Sequence, residues 1–129
     1  EYNHKDEVVE PNDGKINVWG TGEEKRDLLY VEDLVDFIDI SLNNQTNSYE
    51  LFNVGLGKGI KIKDLASQII KQSGRDLKII HDLSKPTVPT SLFLDCSKAK
   101  ELLNWEPKHK LNEGIHKTIN WYINNYNKK

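Results

Sequence analysis

Hydrophobic and polar residues follow one another along this chain in short blocks, and the spacing inside each block predicts its secondary structure. Residues 15–19 alternate, with Ile16 and Val18 on one side, which is the two-residue period of a strand. From Val31 to Leu42 the apolar residues recur every three or four positions, which is the period of one face of an amphipathic helix. The amino-terminal part of the chain therefore predicts a strand, a loop and a helix.

The same two periods predict the elements that follow. Gly74 and Asn104 are placed to end two helices in the left-handed conformation. Further strands are expected at about 27–30, 49–54 and 77–81, and further helices at about 62–73, 96–103 and 112–126. Short strands that alternate with four helices predict a mixed α/β fold that is mostly helical.

Acidic residues are concentrated at the beginning of the first predicted helix. Glu32 and Asp33 lie in its first turn, where they are expected to stabilise the positive end of the helix dipole. Asp33, Asp36 and Asp39 recur every three residues, which we interpret as the solvated face of the helix rather than as a metal site.

Composition and charge narrow the classes of function. The chain has 129 residues and a net charge of −2, so it has the length of one domain and lacks the basic character of a nucleic-acid-binding protein. Its apolar runs are far shorter than the roughly 20 residues that cross a bilayer. Cys96 is the one cysteine, which fits a reducing compartment. A cytoplasmic protein that binds neither nucleic acid nor membrane is therefore expected.

The extent of the domain can also be predicted. Residues 1–14 are polar, lack periodicity and end in Asn-Asp-Gly, which predicts a linker remnant that finishes in a turn, and residues 15–129 then form the domain. The sequence contains no methionine and opens on Glu1, so we expect a piece of a longer protein or a processed one.

Two residues near the first strand are candidates for ligand contacts. Arg26 follows a glycine-containing loop, and its guanidinium suits bidentate recognition of phosphate oxygens. The alternative is a surface arginine that pairs with Glu23 or Asp27. Trp19 is either a platform on which a base stacks or a core aromatic residue. Spacing alone leaves both pairs of alternatives open.

The residue types that most often carry catalysis form no recognisable set. The glycines at 55, 57 and 59 differ from the spacing of a dinucleotide-binding loop and predict a tight turn instead. The four histidines and Cys96 fit no zinc template. No tyrosine is followed four residues later by a lysine, the pair that carbonyl reduction requires. From its residues, the chain predicts a binding surface without a catalytic set.

Four blocks of sequence stand in a fixed order along most of the chain. They are Val18-Trp19-Gly20-Thr21-Gly22 with Arg26-Asp27-Leu28-Leu29-Tyr30-Val31-Glu32-Asp33, then Phe52-Asn53-Val54-Gly55, then Asp95 to Pro107, then Glu113-Gly114-Ile115 with Trp121-Tyr122. In this order they resemble the carboxy-terminal half of extended short-chain dehydrogenases/reductases that act on nucleotide sugars, the NAD-dependent epimerase/dehydratase family that includes the GDP-L-fucose synthases.

The resemblance implies the substrate-binding portion of an NAD(P)-dependent nucleotide-sugar epimerase, reductase or dehydratase. In that family NAD or NADP and the catalytic residues belong to an amino-terminal Rossmann half that is missing here, so the fragment alone is expected to be inactive. The implied partners are a nucleoside-diphosphate sugar and the missing Rossmann half, and homodimers are common in the family. A non-catalytic binding or assembly module of the same fold stays as the alternative.

By position, the resemblance implies four substrate-binding residues and no catalytic, cofactor-binding or metal-binding residue. Trp19 inherits a contact with the nucleotide, and Arg26 inherits a contact with its phosphates. Lys85 stands where relatives have an arginine, and Thr87 stands where the fucose synthases have an acid. This departure leaves GDP-, UDP-, dTDP- and CDP-sugars open as substrates.

Overall fold

The computed structural model of the protein describes residues 14–88 and 90–126. In chain order its elements are β1 (Lys15–Trp19), β2 (Lys25–Asp27), α1 (Val31–Asn44), β3 (Gly59–Lys61), α2 (Ile62–Ser73), β4 (Lys78–Asp82), α3 (Ser97–Leu103) and α4 (Leu111–Tyr126). Most of the residues in these elements are helical, so the prediction of a mixed α/β, mostly helical fold is confirmed.

The strands form two small sheets. β1 runs parallel to β4, with Lys15 opposite Lys78 and Trp19 opposite Asp82. β2 is antiparallel to β3, with Arg26 opposite Ile60. Because β1 and β4 are parallel, the loops that leave their carboxyl ends begin side by side.

Two helices end as the sequence predicts. Gly74 has φ +67° after α2, and Asn104 has φ +52° after α3. Both residue types tolerate the left-handed conformation, which lets the following N–H groups reach the last carbonyls of the helix. The Asn104 N–H accordingly donates to the Lys100 carbonyl at 2.9 Å.

The hydrophobic core lies between α1 and the region of α3. Phe37 of α1 meets Trp105 edge to face, with ring centroids 5.2 Å apart. Ala99 and Leu103 of α3 belong to the same buried cluster, and Leu29 packs against it. This cluster fixes α1 to the segment that precedes it and to α3.

Two strand predictions are wrong. The strand expected at 27–30 is instead β2 at Lys25–Asp27, because its partner β3 is only 3 residues long and pairing stops at Gly59 opposite Asp27. The stretch 49–54 is not in a strand. A strand needs a neighbour that supplies ladder hydrogen bonds, and the described residues pair no strand with this stretch.

The α1 helix forms as predicted, but its buried face is a different one. The apolar residues expected to define one face of this helix are 42–81% exposed, namely Val31, Leu34, Val35, Ile38 and Leu42. Phe37 and Asp33 are the buried residues of the helix instead. The apolar stripe therefore forms an exposed surface, which we call the α1 stripe.

Asp33 contradicts the prediction of a solvated acidic face, because its side chain is only 1% exposed. Its carboxylate accepts hydrogen bonds from the Lys108 N–H at 3.0 Å, the His109 N–H at 3.2 Å and the His109 Nδ1 at 2.9 Å. Asp36 is half-buried and pairs with Lys108 at 2.6 Å, whereas Asp39 is exposed as predicted. These donors lie far away in sequence, which is why helical spacing did not reveal them.

The predicted linker at 1–14 falls almost entirely outside the described residues, so it stays a prediction. Gly14, the last residue of that stretch, has φ +64°, as expected of the glycine in a turn. Within the described ranges, no helix is long and apolar enough to cross a membrane.

The Asp33 hydrogen bonds predict a stability effect. Asp33→Asn should lower the free energy of unfolding by about 2 kcal/mol at neutral pH, because the buried amide is a weaker acceptor and cannot satisfy every donor around it. Urea unfolding followed by circular dichroism measures this loss. The matched control is Asp39→Asn, on the same helix but exposed, and equal losses for the two variants would refute the role of Asp33.

The pH dependence of that stability has a defined sign. Burial raises the pKa of the Asp33 carboxyl, but hydrogen bonds from the His109 ring and from the N–H groups of Lys108 and His109 outweigh it, so the pKa is lowered. Asp33 therefore contributes stability that is complete above the ordinary carboxyl pKa of about 4 and is lost as the pH falls through the lowered value. The free energy of unfolding of Asp33→Asn should therefore decline less steeply below about pH 4 than that of the unsubstituted chain. The same urea unfolding, repeated at several pH values, measures this difference.

Candidate functional site

The turn after β1 is attached to β4 at the carboxyl ends of both strands. The Gly20 N–H donates to the Asp82 carbonyl at 2.8 Å, and the His81 Nδ1 lies 3.0 Å from the Gly20 carbonyl oxygen. In α/β folds, ligands bind where such parallel strands end. Trp19, Lys85 and Thr87 all lie on this edge. We call these three residues, together with Arg26, the strand-end site.

Thr87 packs directly against the turn at Gly20. A Cβ atom on Gly20 would lie 2.4 Å from the Thr87 Cγ2, and Gly20 has φ +67°. Only glycine meets both conditions. The contact holds the loop after β4 on the backbone that follows Trp19.

Trp19 is exposed rather than part of the core. Its side chain is 56% exposed, so it is not part of the core that the described residues form. The Lys85 Nζ lies over the indole ring, 5.8 Å from its centroid, in a cation–π arrangement. The structure thus brings two of the sequence-predicted residues into contact.

Arg26 is held by backbone oxygens of the loop after β4. Its Nη1 donates to the Lys25 carbonyl at 2.8 Å, the Thr90 carbonyl at 3.0 Å and the Thr90 hydroxyl at 3.3 Å. Its Nη2 donates to the Val88 carbonyl at 3.2 Å. A guanidinium carries five N–H donors, so the Nε–H and one N–H of Nη2 are not used by the described residues.

The alternative of an Arg26 ion pair with Glu23 or Asp27 is wrong. Glu23 pairs with Lys61 at 2.8 Å and with Lys63, and these hydrogen bonds lower the pKa of its carboxyl to about 2. Asp27 accepts hydrogen bonds from backbone N–H groups. Among the described residues no carboxylate lies within ion-pair distance of Arg26, so its positive charge is not neutralised by an acid.

Asp27 is a residue whose role sequence reasoning missed. Its carboxylate accepts from the Leu56 N–H at 2.8 Å, the Gly57 N–H at 3.0 Å and the Leu94 N–H at 3.0 Å. A Cβ on Gly55 would lie 2.8 Å from the Asp27 Oδ2. The glycine-containing segment is therefore a turn around a carboxylate, and its N–H groups at 56 and 57 are not free to hold a phosphate.

A second polar cluster links α1 to α4. The Lys117 Nζ contacts Glu32 at 2.7 Å and the His109 Nε2 at 2.9 Å, and it lies 5.4 Å from the Tyr30 ring centroid. Burial and Glu32 raise the pKa of Tyr30, whereas a tyrosine acid for carbonyl reduction is activated by a lowered pKa. Tyr30 and Lys117 thus belong to the polar contacts between α1 and α4, and their partners were not predictable from spacing.

The fold defines the class of protein: it is that of the carboxy-terminal portion of an extended short-chain dehydrogenase/reductase. The family model described as GDP-mannose 4,6 dehydratase matches residues 7–118. The chain belongs to this family, and the resemblance identified from the four sequence blocks is confirmed.

Relatives named for different nucleotide sugars are similar to this chain in sequence and fold. "Probable GDP-L-fucose synthase 1" of Oryza sativa subsp. japonica is 37% identical over 92% of this chain and 36% of that protein. The crystal structure of UDP-glucose 4-epimerase from Thermotoga maritima with UDP-glucose has a TM-score of 0.77 and 32% identity, over 85% of this chain and 35% of that one. dTDP-glucose 4,6-dehydratase from Bacillus anthracis in complex with NAD has a TM-score of 0.73 and 27% identity, over 88% and 36%. The chain thus spans about a third of the length of these relatives.

The Arg26 hydrogen bonds predict a local change in dynamics. Arg26→Ala should speed amide hydrogen exchange at Lys25 and Leu92, whose N–H groups bond the Thr90 and Lys25 carbonyls at 3.1 Å. Loss of hydrogen bonds to a charged group worth about 1.5 kcal/mol corresponds to about tenfold faster local opening. Arg75→Ala, the same change at an exposed arginine, is the control. Unchanged exchange in Arg26→Ala would show that the guanidinium does not hold the loop.

Proposed function

We propose that this chain binds the nucleoside diphosphate of a sugar substrate at the strand-end site. The observation that carries the proposal is the uncompensated guanidinium of Arg26, held in place by loop carbonyls with N–H donors to spare. Trp19 offers an exposed aromatic surface on the same edge. Both residues contact the loop after β4, Arg26 at Val88 and Thr90 and Trp19 at Lys85, and a cation with an aromatic platform suits a ligand that carries both a diphosphate and a base.

The roles follow from the chemistry of each side chain. Arg26 contacts phosphate oxygens through its unused N–H groups, since charge-assisted hydrogen bonds to phosphate are strong and directional. Trp19 stacks on the base, which is compatible with any base because each has a π face. Lys85 adds a second, mobile positive charge, and Thr87 holds the loop that carries Lys85.

We infer that the whole protein is an NAD(P)-dependent nucleotide-sugar epimerase, reductase or dehydratase. The relatives described above are enzymes of these kinds, and one of the solved structures contains NAD. The Gly55–Gly57 turn does not fit the phosphates of the cofactor, because its N–H groups bond Asp27. We propose that NAD or NADP is bound by a part of the protein outside this chain and that the chain alone is inactive.

The α1 stripe supports a second part of the proposal, namely that a larger protein packs here. Five neighbouring apolar side chains on one helix are exposed, and exposed apolar patches of this kind mark interfaces. The stretch 49–54, which follows α1 in sequence, has the composition of a strand but pairs with no strand among the described residues. Both features fit a Rossmann half that covers α1 and pairs with this stretch.

Nucleotide binding provides the test of the strand-end site. Isothermal titration with UDP and GDP should show binding to the chain, and Arg26→Ala should weaken it about 10- to 100-fold, the effect of losing charge-assisted hydrogen bonds worth about 1.4 to 2.8 kcal/mol. Uridine and guanosine, which lack phosphates, should bind the variant and the unsubstituted chain equally.

Two comparisons make this test decisive. Arg75→Ala removes an exposed arginine elsewhere and should leave the affinity for UDP and GDP unchanged. If Arg26→Ala weakens nucleosides and nucleoside diphosphates alike, the arginine acts by shaping the loop and not by contacting phosphate. Absence of diphosphate binding to the unsubstituted chain would overturn the proposed function.

The α1 stripe predicts self-association of the isolated chain. Val35→Lys combined with Leu42→Lys should lower the apparent mass in sedimentation experiments, because it places charge on side chains that are 60% and 81% exposed. Tyr122→Lys, at a residue of α4 that is 56% exposed, is the control. An equal effect of the control would mean that the stripe is not the associating surface.

A further inference from the structure

Lys85 occupies the aromatic surface that a base would need. Its Nζ lies 5.8 Å from the centroid of the Trp19 ring. None of the ion pairs formed among the described residues includes Lys85. The ammonium group is therefore held over the ring without a carboxylate partner, and a group that binds it more strongly can remove it.

The main chain on both sides of the Lys85 side chain is anchored. The Lys85 N–H donates to the Asp82 carbonyl at 3.4 Å, Thr87 packs on Gly20, and Arg26 bonds the Val88 carbonyl at 3.2 Å. Motion at this position is thus confined to the flexible four-carbon side chain of the lysine. The ammonium can leave the ring while the loop stays in place.

A base and the Lys85 ammonium compete for the same ring. Stacking of a base on an aromatic side chain is stronger than a cation–π contact at an exposed site, so a base displaces the lysine. The new partner of the displaced ammonium depends on the ligand. With a nucleoside it is hydrated by water, whereas a nucleoside diphosphate places negative oxygens close to the ring, where the ammonium can bind them.

We propose that Lys85 is a specificity residue that covers Trp19 in the free chain and moves to the diphosphate when a nucleotide binds. The inference rests on the proposed function, because it needs Trp19 to be the base platform. Its consequence is discrimination: the lysine lowers the affinity for a nucleoside and raises the affinity for the diphosphate of the same nucleoside. One residue therefore selects phosphorylated ligands in two ways.

Lys85→Ala tests the exchange, because alanine removes both the charge and the side chain that reaches over the Trp19 ring. The probes are uridine, UDP, guanosine and GDP, and the readout is the NMR shift of the Trp19 indole N–H, assigned with Trp19→Phe. Nucleoside affinity should rise about two- to fivefold, as expected from loss of an exposed cation–π contact. UDP and GDP affinity should fall about fivefold or more, as expected from loss of a charge-assisted contact.

Only the exchange predicts that the affinity for nucleosides rises while the affinity for nucleoside diphosphates falls. Lys100→Ala, which removes an α3 lysine that pairs with Glu106, should change neither affinity. If Lys85→Ala weakens diphosphates but leaves nucleosides unchanged, the lysine does not cover the platform and the inference is overturned. If both kinds of ligand shift in the same direction, it is overturned as well. Failure of UDP and GDP to bind the unsubstituted chain is a different result, which overturns the proposed function and this inference together.

Discussion

The Asp27 carboxylate is the contact on which the geometry of the strand-end site depends. It lies at the end of β2 and joins this strand to two segments that are distant in sequence, through the N–H groups of Leu56 and Gly57 and of Leu94. A carboxylate that accepts several backbone hydrogen bonds satisfies donors that would otherwise be costly to bury. Because Arg26 directly precedes Asp27 in the same three-residue strand, fixing Asp27 also fixes the point from which the guanidinium extends.

Arg26 and Asp27, two of the three charged residues of β2, thus have complementary partners. The negative Asp27 accepts from N–H groups, and the positive Arg26 donates to the C=O groups of Lys25, Val88 and Thr90. Among the described residues, Arg26 and Asp27 form no ion pair with each other or with another side chain. Neutral dipoles orient the guanidinium without neutralising it, which is the condition for an arginine to be both rigid and attractive to an anion.

Hydrophobic periodicity predicts secondary structure correctly where residues close in sequence determine that structure. Val31–Asn44 is a helix, and Gly74 and Asn104 are left-handed caps, since each depends on residues within one or two turns. The buried side of α1 was mispredicted because its five apolar residues fit a core-facing stripe as well as an interface. The stretch 49–54 has the composition of a strand but not a partner among the described residues, and pairing is not a local property.

The sequence by itself determined the order of the helices, their ends, the family and the four candidate site residues. Only the tertiary structure decided that Trp19 is exposed beneath Lys85, that Arg26 bonds carbonyls instead of acids, and that Asp33 is buried beside His109. The physical reason is the same in each case. Helix periods and caps arise from interactions between residues a few positions apart, whereas these side chains take their environment from residues about 60 to 75 positions away, which spacing does not encode.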